Sequence, residues 1–390
     1  MNGNLDRRQF FQLSSAATVT LGASALAPGP APAAASSNRG PGLKLGCQSG
    51  PSSDEHFAFF ARYGVRNICA SPSIAAPDRL YATAAELSAL QEMAARHGLS
   101  VDMTDSVLLN STLIDVEKHP AIMLAQSPQR DRDIEAFQTL IRNCAQVGIP
   151  AVKYNMSILG VLRNTRSPGR GDAEYLGWDA SLVPADLPPT RAGVVDADAA
   201  WERITYFLER VVPVANEYKV RIACHPQDPG VPPAGYRGVN RVLGTVDGLK
   251  RFVSIHDSPY HGLNFCQGTV CENLAQPSEE IFDVIRYFGQ RKKIFNVHFR
   301  NIKGRRDRFT EAFPDDGDID MPRAVRTYRE VGYEGMLMPD HVPLVRGSGT
   351  EAAYAYNLGG HNAVGDGHLE SFAFAYGYLR GLIQAVQGAG

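Results

Sequence analysis

Four side chains of the kinds that bind metal ions each stand at the end of a short, strand-like run in the second half of the chain. They are His225, Cys266, His298 and Asp340. Imidazole, thiolate and carboxylate groups together suit a first-row divalent cation, and two anionic ligands would balance its charge. Each residue alone is more typical of a buried structural position. Their recurrence at four successive strand ends predicts one metal site with open positions for substrate oxygens.

Two further polar residues fall at the same kind of position. His341 directly follows Asp340, and a histidine there could act as a general acid or base near neutral pH. Asn155 closes an earlier strand-like run, where its amide could bind a substrate hydroxyl. The sequence therefore places a candidate catalytic group and a candidate substrate-binding group beside the predicted metal site.

Two cations follow His298 closely along the chain. Arg300 and Lys303 could hold a substrate carboxylate, because charge-assisted hydrogen bonds to carboxylates are strong. Arg300 could equally form a structural ion pair with Asp316 or Asp318. With the metal donors, these cations favour an enzyme whose substrate presents oxygen ligands and a carboxylate.

Strand-like runs alternate with helical runs from residue 43 onward. The strand-like runs are 43–48, 67–71, 100–104, 151–155, 220–225, 262–266, 294–299 and 335–340. The helical runs are 55–63, 84–97, 132–147, 198–218, 245–252, 278–289, 321–331 and 369–386. Such alternation is typical of parallel sheets, and eight units predict an α/β fold, the closed (β/α)8 TIM barrel, whose strands all end at one rim. An open, doubly wound sheet is the alternative, although no Gly-x-Gly-x-x-Gly follows the first strand.

The first 38 residues differ from the rest of the chain. Arg7 and Arg8 precede an apolar run at 13–27 and an Ala-x-Ala site at 31–33. This order is typical of a signal peptide, and the paired arginines indicate the twin-arginine route. We therefore predict that the protein is exported folded to the periplasm. We expect no stable membrane anchor, because the apolar run consists mostly of small and hydroxyl-bearing residues.

Residues 39–390 form a single catalytic barrel domain in this interpretation. Two long irregular insertions interrupt its alternation, at about 159–196 and 344–367. Connections of that length are uncommon in compact domains, so each segment is a candidate lid over the site. A solvated insertion or an oligomer contact is the alternative for each, and a homo-oligomer is compatible with the sequence.

Composition excludes several classes of function. The 390 residues are 44% hydrophobic and 21% charged, which is enough for a large core. The net charge of −2 provides no basic field for nucleic acid. The six cysteines are too sparse to form a disulfide framework. The predicted partner is therefore a small molecule and not a nucleic acid.

Several segments between residues 130 and 341 carry a resemblance to a known family. They are RDRDIE (130–135), KYNM (153–156), HPQDP (225–229), DSP (257–259), GLNFC (262–266), HFRNIK (298–303), DGDIDM (316–321) and MPDH (338–341). With them, the chain from about residue 129 to its C-terminus resembles the mannonate dehydratase family. The resemblance implies a barrel that holds Mn²⁺ or Fe²⁺ at the four donors named above, with His341 in proton transfer. The implied reaction is that of a hydro-lyase, the dehydration of D-mannonate to 2-dehydro-3-deoxy-D-gluconate and water.

One position departs from the pattern of that family, in which a tyrosine commonly follows a glycine shortly before the last helix. Here His368 follows Gly367, which makes His368 a second candidate catalytic residue, of lower pKa than a tyrosine. The main alternative function is a metal-dependent sugar or keto-sugar isomerase or epimerase of the TIM-barrel type. A non-catalytic periplasmic binder of sugar acids is a third hypothesis, against which the acid–base candidates argue.

Overall fold

The computed structural model describes residues 42–49, 52–184, 186–345 and 366–388. The chain divides at Gly40, and everything described belongs to the unit Pro41–Gly390. The predicted signal segment, residues 1–38, lies outside the described residues, as does most of the predicted insertion at 344–367.

A closed barrel of parallel strands dominates the described chain. The strands are β1 (Lys44–Ser49), β2 (Asn67–Ala70), β3 (Ser100–Asp105), β4 (Ala151–Asn155), β5 (Thr165–Pro168), β6 (Glu174–Asp179), β7 (Arg221–His225), β8 (His261–Cys266), β9 (Ile294–His298), β10 (Asn301–Arg305), β11 (Arg308–Ala312) and β12 (Met336–Met338). Eight of them close in the order β1-β12-β9-β8-β7-β4-β3-β2, and this confirms the predicted (β/α)8 barrel. The last of the eight is shorter than the predicted run 335–340, because Pro339 has no N–H to donate to a neighbouring strand.

Helices cover the outside of the barrel. They are α1 (Asp54–Arg62), α2 (Ala84–Arg96), α3 (Ala121–Leu124), α4 (Gln129–Val147), α5 (Ala197–Tyr218), α6 (Val246–Ser254), α7 (Gln267–Glu272), α8 (Pro277–Gln290), α9 (Met321–Glu330) and α10 (Asp366–Gly388). Local sequence sets several ends: Thr83 and Glu86 form a reciprocal capping box at α2, and Gly148 ends α4 in the left-handed region at φ 78°. Among the helices described, none combines the length and apolar character that crossing a membrane requires.

A second, antiparallel sheet stands outside the barrel, in the order β10-β11-β6-β5. Two of its strands come from the predicted irregular insertion at 159–196, and the other two form a hairpin just after β9. The prediction of an irregular segment was wrong because β5, with the sequence Thr-Arg-Ser-Pro, has no apolar alternation to reveal a strand. The insertion and the hairpin join where Trp178 pairs with Phe309, and both side chains are buried.

The interior of the barrel contains its own apolar cluster. Its members are Cys69, Met103, Ala151, Ala223, Phe295, Met336 and Met338. They come from six barrel strands, and side chains of six strands meet only inside the barrel. Side chains alternate along a strand, so residues two positions after these face the interior as well. Those next interior positions, nearer the C-terminal rim, include Asp105, Lys153, His225 and Asp340.

Candidate metal centre and active site

The four predicted metal donors converge at the C-terminal rim. One ligand atom from each of His225, Cys266, His298 and Asp340 lies within 4.8 Å of every other. The first three close β7, β8 and β9, and Asp340 follows β12 by two residues. The two imidazoles and the thiol are buried, and the carboxylate residue is half-buried. The closed parallel topology brings the ends of these strands to one rim and so brings the donors together.

Hydrogen bonds leave imidazole nitrogens available to an ion. The Nδ1–H of His225 donates to the carbonyl oxygen of Pro226 at 2.6 Å, which leaves the lone pair of Nε2 free. In His298, Nε2 lies 3.2 Å from the Asn264 amide, whereas Nδ1 has no hydrogen-bond partner among the described residues. That Nδ1 lies 3.3 Å from Oδ2 of Asp340. A buried nitrogen without a hydrogen bond beside a carboxylate fits a site for a divalent cation.

The thiol of Cys266 is held in an environment that favours the thiolate. Thr269 donates to its Sγ from the backbone N–H at 3.4 Å and from the hydroxyl at 3.1 Å. Burial alone would raise the pKa of Cys266, but the charge of Arg300 and the neighbouring His298 lower it below its usual value. A thiolate is the form that binds metal ions, so the surroundings of this side chain also fit the candidate centre.

A buried charge network adjoins the donors. It consists of Arg163, Asp228, Glu272, Arg300 and Glu311. Arg163 lies 2.6 Å from both Asp228 and Glu311, and Arg300 lies 3.0 Å from Asp228 and 3.1 Å from Glu311. Burial would raise the pKa of Asp228, but the two guanidinium groups lower it well below its usual range. The network links the insertion, the β10–β11 hairpin and the loop after β7 at the site.

Arg300 has partners other than those expected from the sequence. The alternative ion pair with Asp316 or Asp318 was wrong, because the β10–β11 hairpin directs Lys303 to Asp316, at 2.9 Å. The side chain of Arg300 has 0% exposure and binds the carboxylates of the charge network. Its Nε has no hydrogen-bond partner among the described residues, and its part in holding a substrate carboxylate stays a prediction. Lys303 is 44% exposed, and its part in substrate binding stays a prediction.

His341 lies between the charge network and the metal donors. Its Nδ1 contacts Oε1 of Glu311 at 2.5 Å, and its Nε2 lies 3.7 Å from Oδ2 of Asp340. Burial opposes a charge on His341, but these two carboxylates raise its pKa to about 9. Burial would likewise raise the pKa of Glu311, but Arg163 and His341 lower it to about 2. Glu311 was not predicted from the sequence. Its only local indication of a role is that it is a carboxylate among buried residues at the end of β11.

Two further predicted residues, Asn155 and His368, have no contact in the described structure that assigns them a role. Asn155 is half-buried at the end of β4 and pairs in register with His225, so it reaches the same rim. His368 lies in the first turn of α10, and its side chain is outside the described part of the structure. The roles of both residues therefore stay predictions.

The opposite half of the rim carries polar side chains that the sequence analysis missed. Lys153 on β4 donates to Oε1 of Gln48 on β1, with 2.5 Å between the two atoms. The hydroxyl of Ser71 donates to Asp105, also at 2.5 Å, and burial raises the pKa of Asp105 although the charge of Lys153 opposes it. Lys153 precedes Asn155 by two residues, and that same-face spacing is the signal that could have found it.

A closed parallel barrel whose strand ends bring together two imidazoles, a thiolate and a carboxylate defines a class of protein. It is a TIM-barrel enzyme with a metal centre at the C-terminal rim, where such barrels have their active sites. The neighbouring His341 provides a group that can exchange protons with a bound small molecule.

The chain belongs to the mannonate dehydratase family. The D-mannonate dehydratase (UxuA) family profile matches residues 190–387. Mannonate dehydratase 2 of Halalkalibacterium halodurans is 30% identical over 334 residues, 77% of this chain and 87% of that protein. Mannonate dehydratase of Thermotoga neapolitana is 30% identical over 304 residues, 69% of this chain and 80% of that one. The crystal structure of mannonate dehydratase from Streptococcus suis serotype 2 superposes with a TM-score of 0.73 at 24% identity, covering 90% of this chain and 95% of that chain.

These similarities bear on four predictions made from the sequence. They confirm the mannonate dehydratase family and the hydro-lyase class. The structural similarity agrees with the TIM barrel. They also favour a dehydratase over the alternative of a sugar isomerase or epimerase.

Proposed function

We propose that this protein dehydrates D-mannonate to 2-dehydro-3-deoxy-D-gluconate, with Mn²⁺ or Fe²⁺ as its divalent ion. One observation carries the proposal: the four converged donors have a proton-transfer group beside them, with Nε2 of His341 3.7 Å from Oδ2 of Asp340. Membership of the mannonate dehydratase family supports the choice of substrate.

The reaction makes two chemical demands that this site can meet. A proton next to a carboxylate is weakly acidic, and a hydroxyl group leaves poorly unless it is protonated. A bound divalent ion would act as a Lewis acid toward substrate oxygens. Glu311 accepts the proton on Nδ1 of His341 and so orients the ring, which leaves Nε2 turned toward the donors for proton exchange with a bound substrate. His368 stays a second candidate for proton transfer by its match to the family position.

The proposal is tested with metal-free protein that is reloaded with one ion at a time and incubated with D-mannonate. We expect a 2-keto product with Mn²⁺ and with Fe²⁺, and loss of the activity when a chelator removes the ion. Carboxylate ligands suit Mn²⁺ and imidazole ligands suit Fe²⁺, and the four donors include both kinds. Turnover of neutral ketoses without turnover of D-mannonate would refute the proposed dehydratase activity. Full activity after metal removal would refute the proposed dependence on a divalent ion.

Orientation of His341 by Glu311 leads to a separate prediction. In Glu311→Gln the side chain keeps its shape, but its amide N–H can donate to Nδ1 of His341. The imidazole then favours the tautomer with its proton on Nε2 instead of Nδ1. We expect kcat for D-mannonate to fall by about 10- to 100-fold with little change in KM. Steady-state kinetics measures this effect, with metal content determined in parallel. Glu330→Gln, which removes a half-exposed carboxylate paired with Arg286, is the control expected to leave kcat unchanged. A folded Glu311→Gln protein with the wild-type kcat would contradict the orienting role.

We also propose export by the twin-arginine route, on the evidence of the first 38 residues. Folding before export would let Mn²⁺ or Fe²⁺ occupy the site before stronger binders such as Zn²⁺ or Cu²⁺ compete for it. Replacing both Arg7 and Arg8 by lysine should retain the protein in the cytoplasm. Cell fractionation and immunoblotting measure this, with Arg62→Lys in α1 as the control. Export of the double lysine variant at the wild-type level would refute the route.

A further inference from the structure

The barrel rim has two chemically different halves. The ends of β7, β8, β9 and β12 carry the metal donors, whereas the ends of β1 to β4 carry the polar side chains around Lys153. In register, Lys153 pairs with Ala223, two residues before His225 on the neighbouring strand β7. The side chain of Lys153 therefore begins inside the barrel, just below the level of the metal donors.

The contact between Lys153 and Gln48 shows that the lysine side chain crosses the barrel interior. β1 and β4 are three strands apart in the barrel order, which is about 14 Å along the wall. Their side chains nevertheless meet at 2.5 Å, which is feasible only through the interior. Ala151, two residues earlier on β4, belongs to the interior apolar cluster. Residues two apart on a strand face the same side, so the side chain of Lys153 also points into the barrel.

The ammonium group of Lys153 has hydrogen-bonding capacity to spare. It carries three N–H donors, and Gln48, an uncharged amide, is its one hydrogen-bond acceptor among the described residues. No carboxylate of the described chain lies within ion-pair distance of it, in contrast to Lys293, which binds Asp257 at 2.6 Å. Lys153 is only 7% exposed, and Asp105, in register with it on β3, acts on its charge only from beyond ion-pair distance. A buried cation in that situation is stabilised by an anionic ligand.

Lys153 also lies close to the metal donors along the barrel wall. Two residues further along β4, Asn155 pairs in register with His225, one of the donors. The cation is therefore placed in the interior just below a small molecule bound at the donors. Arg300, the cation expected from the sequence to bind a substrate carboxylate, binds three carboxylates of the charge network through its two terminal nitrogens.

We infer that Lys153 binds the carboxylate of the substrate and thereby selects sugar acids over neutral sugars of the same shape. The inference rests on the proposed function only in taking the substrate to be an aldonate. A carboxylate has two oxygens and several lone pairs, so it can accept from the ammonium group and still present oxygen to the donors. Pairing with a cation also offsets the carboxylate charge, which otherwise disfavours loss of the neighbouring proton.

The test compares Lys153→Met with wild-type protein, both loaded with Mn²⁺. We expect KM for D-mannonate to rise by about 10- to 100-fold, the usual effect of losing a hydrogen bond to a charged group. Inhibition by D-mannitol, which has the same hydroxyls at C2 to C6 and a hydroxymethyl group in place of the carboxylate, should be unchanged. Lys153→Arg keeps the charge and should recover part of the affinity, and Lys153→Gln replaces Lys153→Met if the latter does not fold.

Lys293→Met is the matched control. It removes a lysine of similar burial, 6% exposed, from the opposite end of the barrel, just before β9 begins. We expect it to alter stability without altering the KM for D-mannonate. An unchanged KM in Lys153→Met, or an equal loss of affinity for D-mannonate and D-mannitol, would overturn the inference.

Failure of the proposed function would be visible separately. If wild-type protein does not turn over D-mannonate, the dehydratase proposal fails, and calorimetric titration with D-mannonate and D-gluconate still tests Lys153. Binding of either aldonate that is lost in Lys153→Met and kept in Lys293→Met would support the inference. Equal binding by both variants, or no binding of either aldonate by wild-type protein, would refute it.

Discussion

Cys266→Ala should lose its divalent ion and at least about 1000-fold of its kcat/KM for D-mannonate, because Lewis-acid stabilisation by a bound ion contributes several kcal/mol. Cys266 supplies the thiolate among the four donors, and no other cysteine lies in that cluster of described residues. Without it, one anionic ligand remains, and the charge of a divalent ion is balanced only in part. Metal content of the purified protein and steady-state kinetics measure the two effects together.

Cys271→Ala is the matched control for that prediction. Cys271 is equally buried, lies five residues further along in α7, and has a pKa raised well above the usual value by burial. A neutral buried thiol acts as a small apolar side chain, so its removal should cost some stability and no metal. Equal metal content in Cys266→Ala and wild-type protein would contradict the assignment of the centre.

Arg300→Met should lower the free energy of unfolding by about 3–5 kcal/mol, because it leaves buried carboxylates without their partner. Arg300 binds Asp228, Glu272 and Glu311, and its side chain has no contact with solvent. Arg300→Lys should recover little of the loss, because one ammonium group cannot reproduce the fork of a guanidinium group. Denaturant unfolding followed by circular dichroism measures the change.

Two further measurements separate this structural role from the role expected from the sequence. Arg286→Met removes a surface arginine that binds Glu330, and it should cost no more than about 1 kcal/mol. If Arg300 instead held the substrate, its replacement would raise KM for D-mannonate at nearly unchanged stability. That result would restore the original assignment and would also weaken the case for Lys153.

The charge network explains why the insertion matters to the site. Arg163, at the start of the insertion, binds Glu311 of the hairpin, and Glu311 in turn orients His341. A segment distant in sequence thus supports the proposed proton-transfer group through buried ion pairs. Breaking any of these pairs is costly, which keeps the second sheet in register with the rim.

The metal donors could be identified from the sequence because their positions follow from local pattern and topology. A short apolar run ends at His225, Cys266 or His298, and closure of parallel strands brings all such ends to one rim. Eight alternating units were sufficient to predict that closure. Asp340 follows the same rule, two residues beyond a strand that Pro339 terminates.

Only the tertiary structure decided which partners the remaining charged residues have. Lys153 meets Gln48 across the barrel interior, and Arg300 meets three carboxylates from separate parts of the chain. Such pairs depend on how strands, the insertion and the hairpin pack, and side chains far apart in sequence leave no periodic signal of their contact. Position at a strand end was therefore enough to identify the metal donors from the sequence. Tertiary packing decided the charge network that orients His341, and it left N–H donors of Lys153 without acceptors among the described residues.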